Sequence, residues 1–253
     1  MGGTGSLVLS TVEFEVLWHG ERLGPRHVAL TVPGTEPGNA TLVDAAWQSL
    51  EGRGLARGRR AVAELADRLA VLANPHVSVD TWVWSDREVR ALAAAAGEDA
   101  MLAVVDGDSV WLVETRDTAL AEAAVSVTGD VAAGAGEPVS LPNEVLRAAE
   151  AAAGGAPGHL ADELTDRGVS PDEARTLAVM CEGVTTRGQF GAQSARAGMA
   201  PRRAERVIAF HDTPHGRYLH QVWPAADGER WSTVSPADNY RLAGYVWELL
   251  DEV

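Results

Sequence analysis

Residues 206–222 read RVIAFHDTPHGRYLHQV, with three histidines and an aspartate inside ten positions. Strand-forming runs flank Thr213-Pro214-His215-Gly216, a turn-like tetrapeptide whose proline and glycine supply its dihedrals. The stretch therefore predicts a β-hairpin with Asp212 opposite Arg217, His211 opposite Tyr218 and His220 opposite Ala209. Alternation puts His211 and His220 on one face as diagonal neighbours, roughly 7–8 Å apart at the backbone. His215 lies at the loop tip and Asp212 on the other face. A zinc site needs three or four converging ligands with outer support, and this hairpin offers two. The cluster reads as hairpin chemistry, with Asp212 and Arg217 as a cross-strand ion pair and no metal, cofactor or catalytic residue.

Outward from this hairpin, TRGQFGAQ (186–193), ERVIAFHD (205–212), RYLHQVW (217–223) and RWSTV (230–234) read as strands. In the N-terminal half, TVEFEVLW (11–18), HVALTV (27–32) and VSVDTWVW (77–84) do the same by alternation and β-branched content. MLAVVDGDSVWLVET (101–115) is a second hairpin, with Asp106-Gly107 suited to a type I′ turn. Helices are expected near 42–52, 58–73, 86–96, 117–126, 142–153, 158–167, 171–182 and 236–251. Thr41/Asp44, Ser85/Glu88 and Ser170/Glu173 resemble capping boxes, and Pro171 and Pro236 suit a first helical position. Both halves run helices, strand, hairpin, helix. The expected fold is α+β: one central, mostly antiparallel sheet flanked by helices, in a single domain of two pseudo-symmetric halves, about 1–133 and 139–253, joined at GAGEP (134–138).

Composition narrows the function. All 21 basic residues are arginine, against 36 acidic ones, for a formal charge of −15. Nucleic acid is not an expected partner, because it calls for clustered positive charge. Without lysine there is no Walker A loop, no pyridoxal Schiff base and no kinase nucleotide lysine. HExxH, GxSxG and GxGxxG are absent too. The single cysteine, Cys181, sits in an apolar run and forms no internal disulfide. No 18-residue apolar stretch suggests membrane insertion. MGGTGS fits a myristoylation pattern by letter, or a flexible glycine-rich start. The expected location is the cytoplasm.

DTPHGRYLHQV followed by ERWSTVSPADNYRLAGYVWELLDE resembles the C-terminal signature of the EspG family, secretion-associated proteins of type VII (ESX) systems in mycobacteria and related actinobacteria. RGQFGAQ (187–193), VLANPHVSV (71–79) and FEVLWHGERLGP (14–25) extend the agreement. The resemblance implies a cytosolic, non-enzymatic chaperone that binds PE–PPE heterodimers and covers the apolar tip of the PPE hairpin before export. It also implies a two-halved antiparallel sheet whose face and C-terminal helical region meet the client. The free protein is expected as a monomer or weak dimer.

Partner-binding candidates are Gln189, Phe190 and Gly191, then Trp82, Trp84 and Trp231, with Arg187 and Arg217 at the rim. Loss of Phe190 is expected to weaken the client complex; it spares the fold if the ring is mostly exposed before binding, whereas a collapsed fold would return the ring to the core. The last helix is apolar around most of its circumference, which suits either a sandwiched position or a second face for a partner. A second reading is a small α+β hydrolase or small-molecule-binding protein with a groove between the halves.

Overall fold

The computed structural model describes residues 6–33, 39–154, 157–195, 200–225 and 228–253; the MGGTGS start lies almost wholly outside them. The N-terminal half runs β1 (Leu7–Ser10), α1 (Thr11–Gly20), α2 (Ala40–Gly52), the short pair β2 (Ala56–Arg57) and β3 (Arg60–Ala61), α3 (Ala63–Ala73), β4 (Val77–Trp84), β5 (Glu88–Ala96), β6 (Asp99–Asp106), β7 (Ser109–Arg116) and α4 (Leu120–Ser126). The C-terminal half repeats the plan: β8 (Val139–Pro142), α5 (Asn143–Ala153), α6 (Pro157–Asp166), α7 (Pro171–Met180), β9 (Thr186–Ser194), β10 (Arg202–Arg203), β11 (Ile208–Thr213), β12 (Gly216–Pro224), β13 (Arg230–Pro236) and α8 (Asn239–Asp251).

One antiparallel sheet carries both halves, in the order β1-β7-β6-β5-β4-β9-β11-β12-β13-β8, with β10 beside β9. Outward from the β4–β9 seam, each half contributes the same sequence of strands. The expected α+β sheet with two pseudo-symmetric halves is therefore present. The edges are blunted, as sheet edges generally are. Pro138 and Pro142 bracket β8, and the Arg53 guanidinium donates to the Val8 carbonyl on β1 at 2.5 Å.

Alternation sends side chains into two layers. One face carries Val79, Val83, Phe190, Ala192, Phe210 and Leu219 against α4 and α8. On the other face, α1, α2 and α3 cover Leu92, Ala94, Met101 and Leu112, while α5, α6 and α7 cover Val139, Leu141, Tyr218 and Val234. The last helix is amphipathic in use: Leu242, Val246 and Leu249 are buried and Tyr240 is exposed.

Several sequence expectations change. TVEFEVLW is helix α1, not a strand. Ser10 accepts from the Glu13 N–H while Glu13 accepts from the Ser10 N–H, a complete capping box. The acidic residues of the apparent alternation are buried with partners: Glu13 meets Arg53 and Ser49, and Glu15 pairs with Arg26 and His19. Residues 28–30 form a 3₁₀ turn, not a strand. EVRALAAAA, expected as a helix over 86–96, is β5. Alanine is the best helix former, but propensity yields to tertiary context, and here burial between β4 and β6 overrides it. Ser85 then belongs to the β4–β5 turn, its N–H bonding the Arg87 carbonyl. Residues 58–62 precede α3, Asn39 rather than Thr41 caps α2, and Asp238 rather than Ser235 caps α8, leaving Pro236 in β13. The Ser170 cap is as expected.

The C-terminal hairpin pairs as read. Asp212 faces Arg217, His211 faces Tyr218 and Ala209 faces His220. Thr213 and Gly216 also pair, which shortens that loop to Pro214-His215. The first hairpin turns one residue later than expected. Asp106 pairs with Ser109, so its loop is Gly107-Asp108, with Gly107 at φ +56° and Asp108 outside the left-handed region. Glycine at the first loop position is the type II′ pattern.

Candidate partner-binding channel

The helices on the second face stop short of its centre. Packed on the outer strands at either side, they leave β4, β9 and β11 as the floor of a channel between the halves. Cross-strand partners share a face, so the register places Trp82 beside Gln189, Trp84 beside Arg187 and Asp80 beside Gly191 on this floor. Ala209 and His211 continue it on β11. Trp82 and Trp84 stack at 6.2 Å between ring centroids, Arg90 lies over the Trp82 ring, and the Trp84 indole N–H donates to Glu88. Trp84 is 40% exposed. Arg187 is exposed and has no carboxylate within ion-pair distance among the described residues. Its charge acts at longer range on Glu150.

On the side of α5 the channel deepens into a cleft of about 760 Å³ lined by Leu146, Glu150, Cys181, His211, His220 and Val234. Burial raises the Glu150 carboxyl, partly opposed by Arg187 and Arg147. Burial, reinforced by Glu150, pushes the Cys181 thiol up to about 11, the reverse of an activated nucleophile. Burial lowers His211, whose Nε2 bonds the Met180 carbonyl oxygen. His220 is lowered by burial and by His211, and its Nε2 pairs with the Ser232 hydroxyl. Among the described residues no three His, Cys, Asp or Glu are grouped as a metal could use them.

At neutral pH both histidines are thus neutral in the fold. Unfolded, they titrate near 6.5, so below that pH the unfolded chain binds more protons and stability falls. Glu150, raised in the fold, acts in the opposite sense at lower pH. Urea midpoints are expected to drop between pH 7.5 and pH 5.5, and a His211→Gln/His220→Gln variant should flatten that slope. An equal slope in the variant would show that other groups cause it.

Toward its other end, starting at mid-seam where Asp80 pairs with Gly191, the channel holds a cluster that sequence reading missed. Asp80, 2% exposed, accepts from Arg203 Nη1 at 2.7 Å and Nη2 at 3.2 Å, and from the Trp82 indole at 3.1 Å. His27 Nε2 lies 3.9 Å away. Burial lowers His27, with Asp80 opposing, and the Asp80 hydrogen bond raises Arg203. The signal was legible: a charged residue in the middle of VSVDTWVW demands a partner when buried.

Of the sequence candidates, Trp82, Trp84, Arg187, Gln189 and Gly191 meet on the channel floor. Three do not. Phe190 points to the opposite face and is fully buried, stacked on Phe210 at 5.7 Å. Trp231 is exposed, but lies on that opposite face beside Trp223. Arg217 is no rim residue: it is fully enclosed and bound to Asp212, Thr128 and Asn239.

The family model of the EspG family matches residues 10–248. The chain belongs to the EspG family. No curated protein matches it in sequence. Among solved structures, the type VII secretion system chaperone EspG5 of Mycobacterium tuberculosis, in complex with a PE25–PPE41 dimer, superposes on this EspG-family chain with a TM-score of 0.75. The match covers 98% of this chain and 97% of that one at 17% identity, a likeness of fold.

Proposed function

We propose that this EspG-family protein is a cytosolic, non-enzymatic chaperone of a type VII secretion system. It holds a PE–PPE-type helical heterodimer before export, with the apolar tip of the PPE partner in the channel. The observation that carries this is the helix-free channel floor, at whose open end exposed Trp84, stacked on Trp82, lies beside an arginine with no ion partner among the described residues. Aromatic and arginine side chains are the enriched anchors of protein interfaces. EspG5 was itself solved with a PE25–PPE41 dimer, which supports the same client class here. No described helix is long and apolar enough to cross a membrane. The free chaperone is read as a monomer or weak dimer.

Titration of the purified protein with a PE–PPE pair from the same genome tests the reading. Trp84→Ala should weaken binding by about 2 kcal/mol, roughly thirtyfold, with little change in melting because the ring is substantially exposed. No complex with wild type in such titrations would sink the proposal. Unchanged affinity in the variant would move the contact away from the channel floor.

A further inference from the structure

The pseudo-two-fold relation between the halves passes through the β4–β9 seam, so the channel has two ends of the same backbone outline. One lies at Trp84 and Arg187, the other at Ser78 and Gln193, where the same strands pair in the reverse sense. A channel symmetric in its side chains would accept an elongated client in two opposite orientations with similar energy. Here the side chains differ. At the first end Trp84 and Arg187 are exposed, whereas at the second Ser78 is 3% exposed and Asp80, the next residue inward on the same face, is 2% exposed.

The difference traces to one departure from the repeated plan. Between β4 and β5 the chain turns within Ser85–Arg87, but between β9 and β11 the corresponding connection carries β10. β10 supplies Arg203, which crosses directly above Gly191 to reach Asp80. A Cβ on Gly191 would stand 2.3 Å from the Arg203 guanidinium and 2.9 Å from the Asp80 carboxylate. The arginine thus takes the volume that a side chain at 191, or a docked segment, would otherwise fill. His27 approaches the same carboxylate from the N-terminal half. An ion pair with one partner buried and the other half-exposed adds little stability on balance; its distinctive effect is on the shape of the channel.

We infer that the Asp80–Arg203 pair closes one end of the pseudo-symmetric channel and so makes client docking one-directional. The inference rests on the channel being the client site. Its test places photoreactive p-benzoylphenylalanine in the full chain at Ser85, beside the open end, or at Arg202, beside the closed end. Each protein is irradiated with the PE–PPE pair used in the titrations. With the pair intact, cross-linking to the client should come from position 85 at least tenfold more than from position 202. In an Asp80→Asn/Arg203→Ala background the yield from 202 should approach that from 85. Gly191→Ala, which displaces the guanidinium without removing a charge, should act in the same direction and serves if the double variant does not fold. Equal yields from both ends with the pair intact would overturn the inference. So would a yield from 202 that stays low in a folded variant lacking the pair. If wild type binds no client in titration and neither position cross-links, the client reading itself falls, and the orientation with it.

Discussion

Replacing Phe190 by alanine is expected to lower the unfolding free energy by about 3–5 kcal/mol, the range for removing a buried phenylalanine. Its ring is fully enclosed, stacked on Phe210 and packed in the cluster built by α4 and α8. The deletion removes apolar burial and leaves a cavity that the strands around it fill only in part. Against a typical domain stability of about 5–15 kcal/mol, much of the folded population's margin is lost. Urea titration followed by tryptophan fluorescence measures this. Phe190→Leu should cost far less, and the folded fraction of either variant should keep its client affinity, since the ring faces away from the channel. A loss under 1 kcal/mol, or a client defect in fully folded Phe190→Leu, would place the ring in the interface after all.

Arg217→Ala should be as damaging, about 3–5 kcal/mol, for a different reason. The guanidinium binds both Asp212 oxygens, at 2.7 and 3.0 Å, donates to the Thr128 hydroxyl and carbonyl, meets Asn239, and lies over the Phe210 ring. The backbone of Arg217 adds bonds to Ala132, Gly134 and Ala237. Truncation strands a buried carboxylate and frees the segment between the halves. The variant should therefore also be cut faster by protease within residues 129–137. Arg217→Met with Asp212→Asn should recover part of the loss, because it removes both charges together. If the single and double variants melt alike, the uncompensated carboxylate is not the cause.

These residues also show where sequence reading succeeds. The Asp212–Arg217 pairing, the His211–Tyr218 register and the two-halved sheet were legible because turn chemistry and alternation act locally. Phe190 was misread as an interface residue, although Gly188, Phe190 and Ala192 alternate with Arg187, Gln189 and Gln193, an alternation that assigns the ring to the apolar side. Helix α1 misled because its acidic residues find partners in Arg26 and Arg53, out of sight of any local window. Strand β5 misled because its alanines are chosen by neighbours on both sides. The Asp80–Arg203 pair joins residues in different halves, and no spacing rule connects them.

The seam between β4 and β9 also sets a timetable for synthesis. It pairs Val77–Trp84 with residues more than a hundred positions later, and the cluster beneath α4 is completed by Phe190, Phe210 and α8. At about 5–20 residues per second, the N-terminal half waits on the order of ten seconds on the ribosome with β4 paired to β5 on one edge only and half of a shared core uncovered. High contact order slows the remaining step further. Until its own last helix has emerged, this chain lacks the cover for an apolar surface of the kind that calls for shielding.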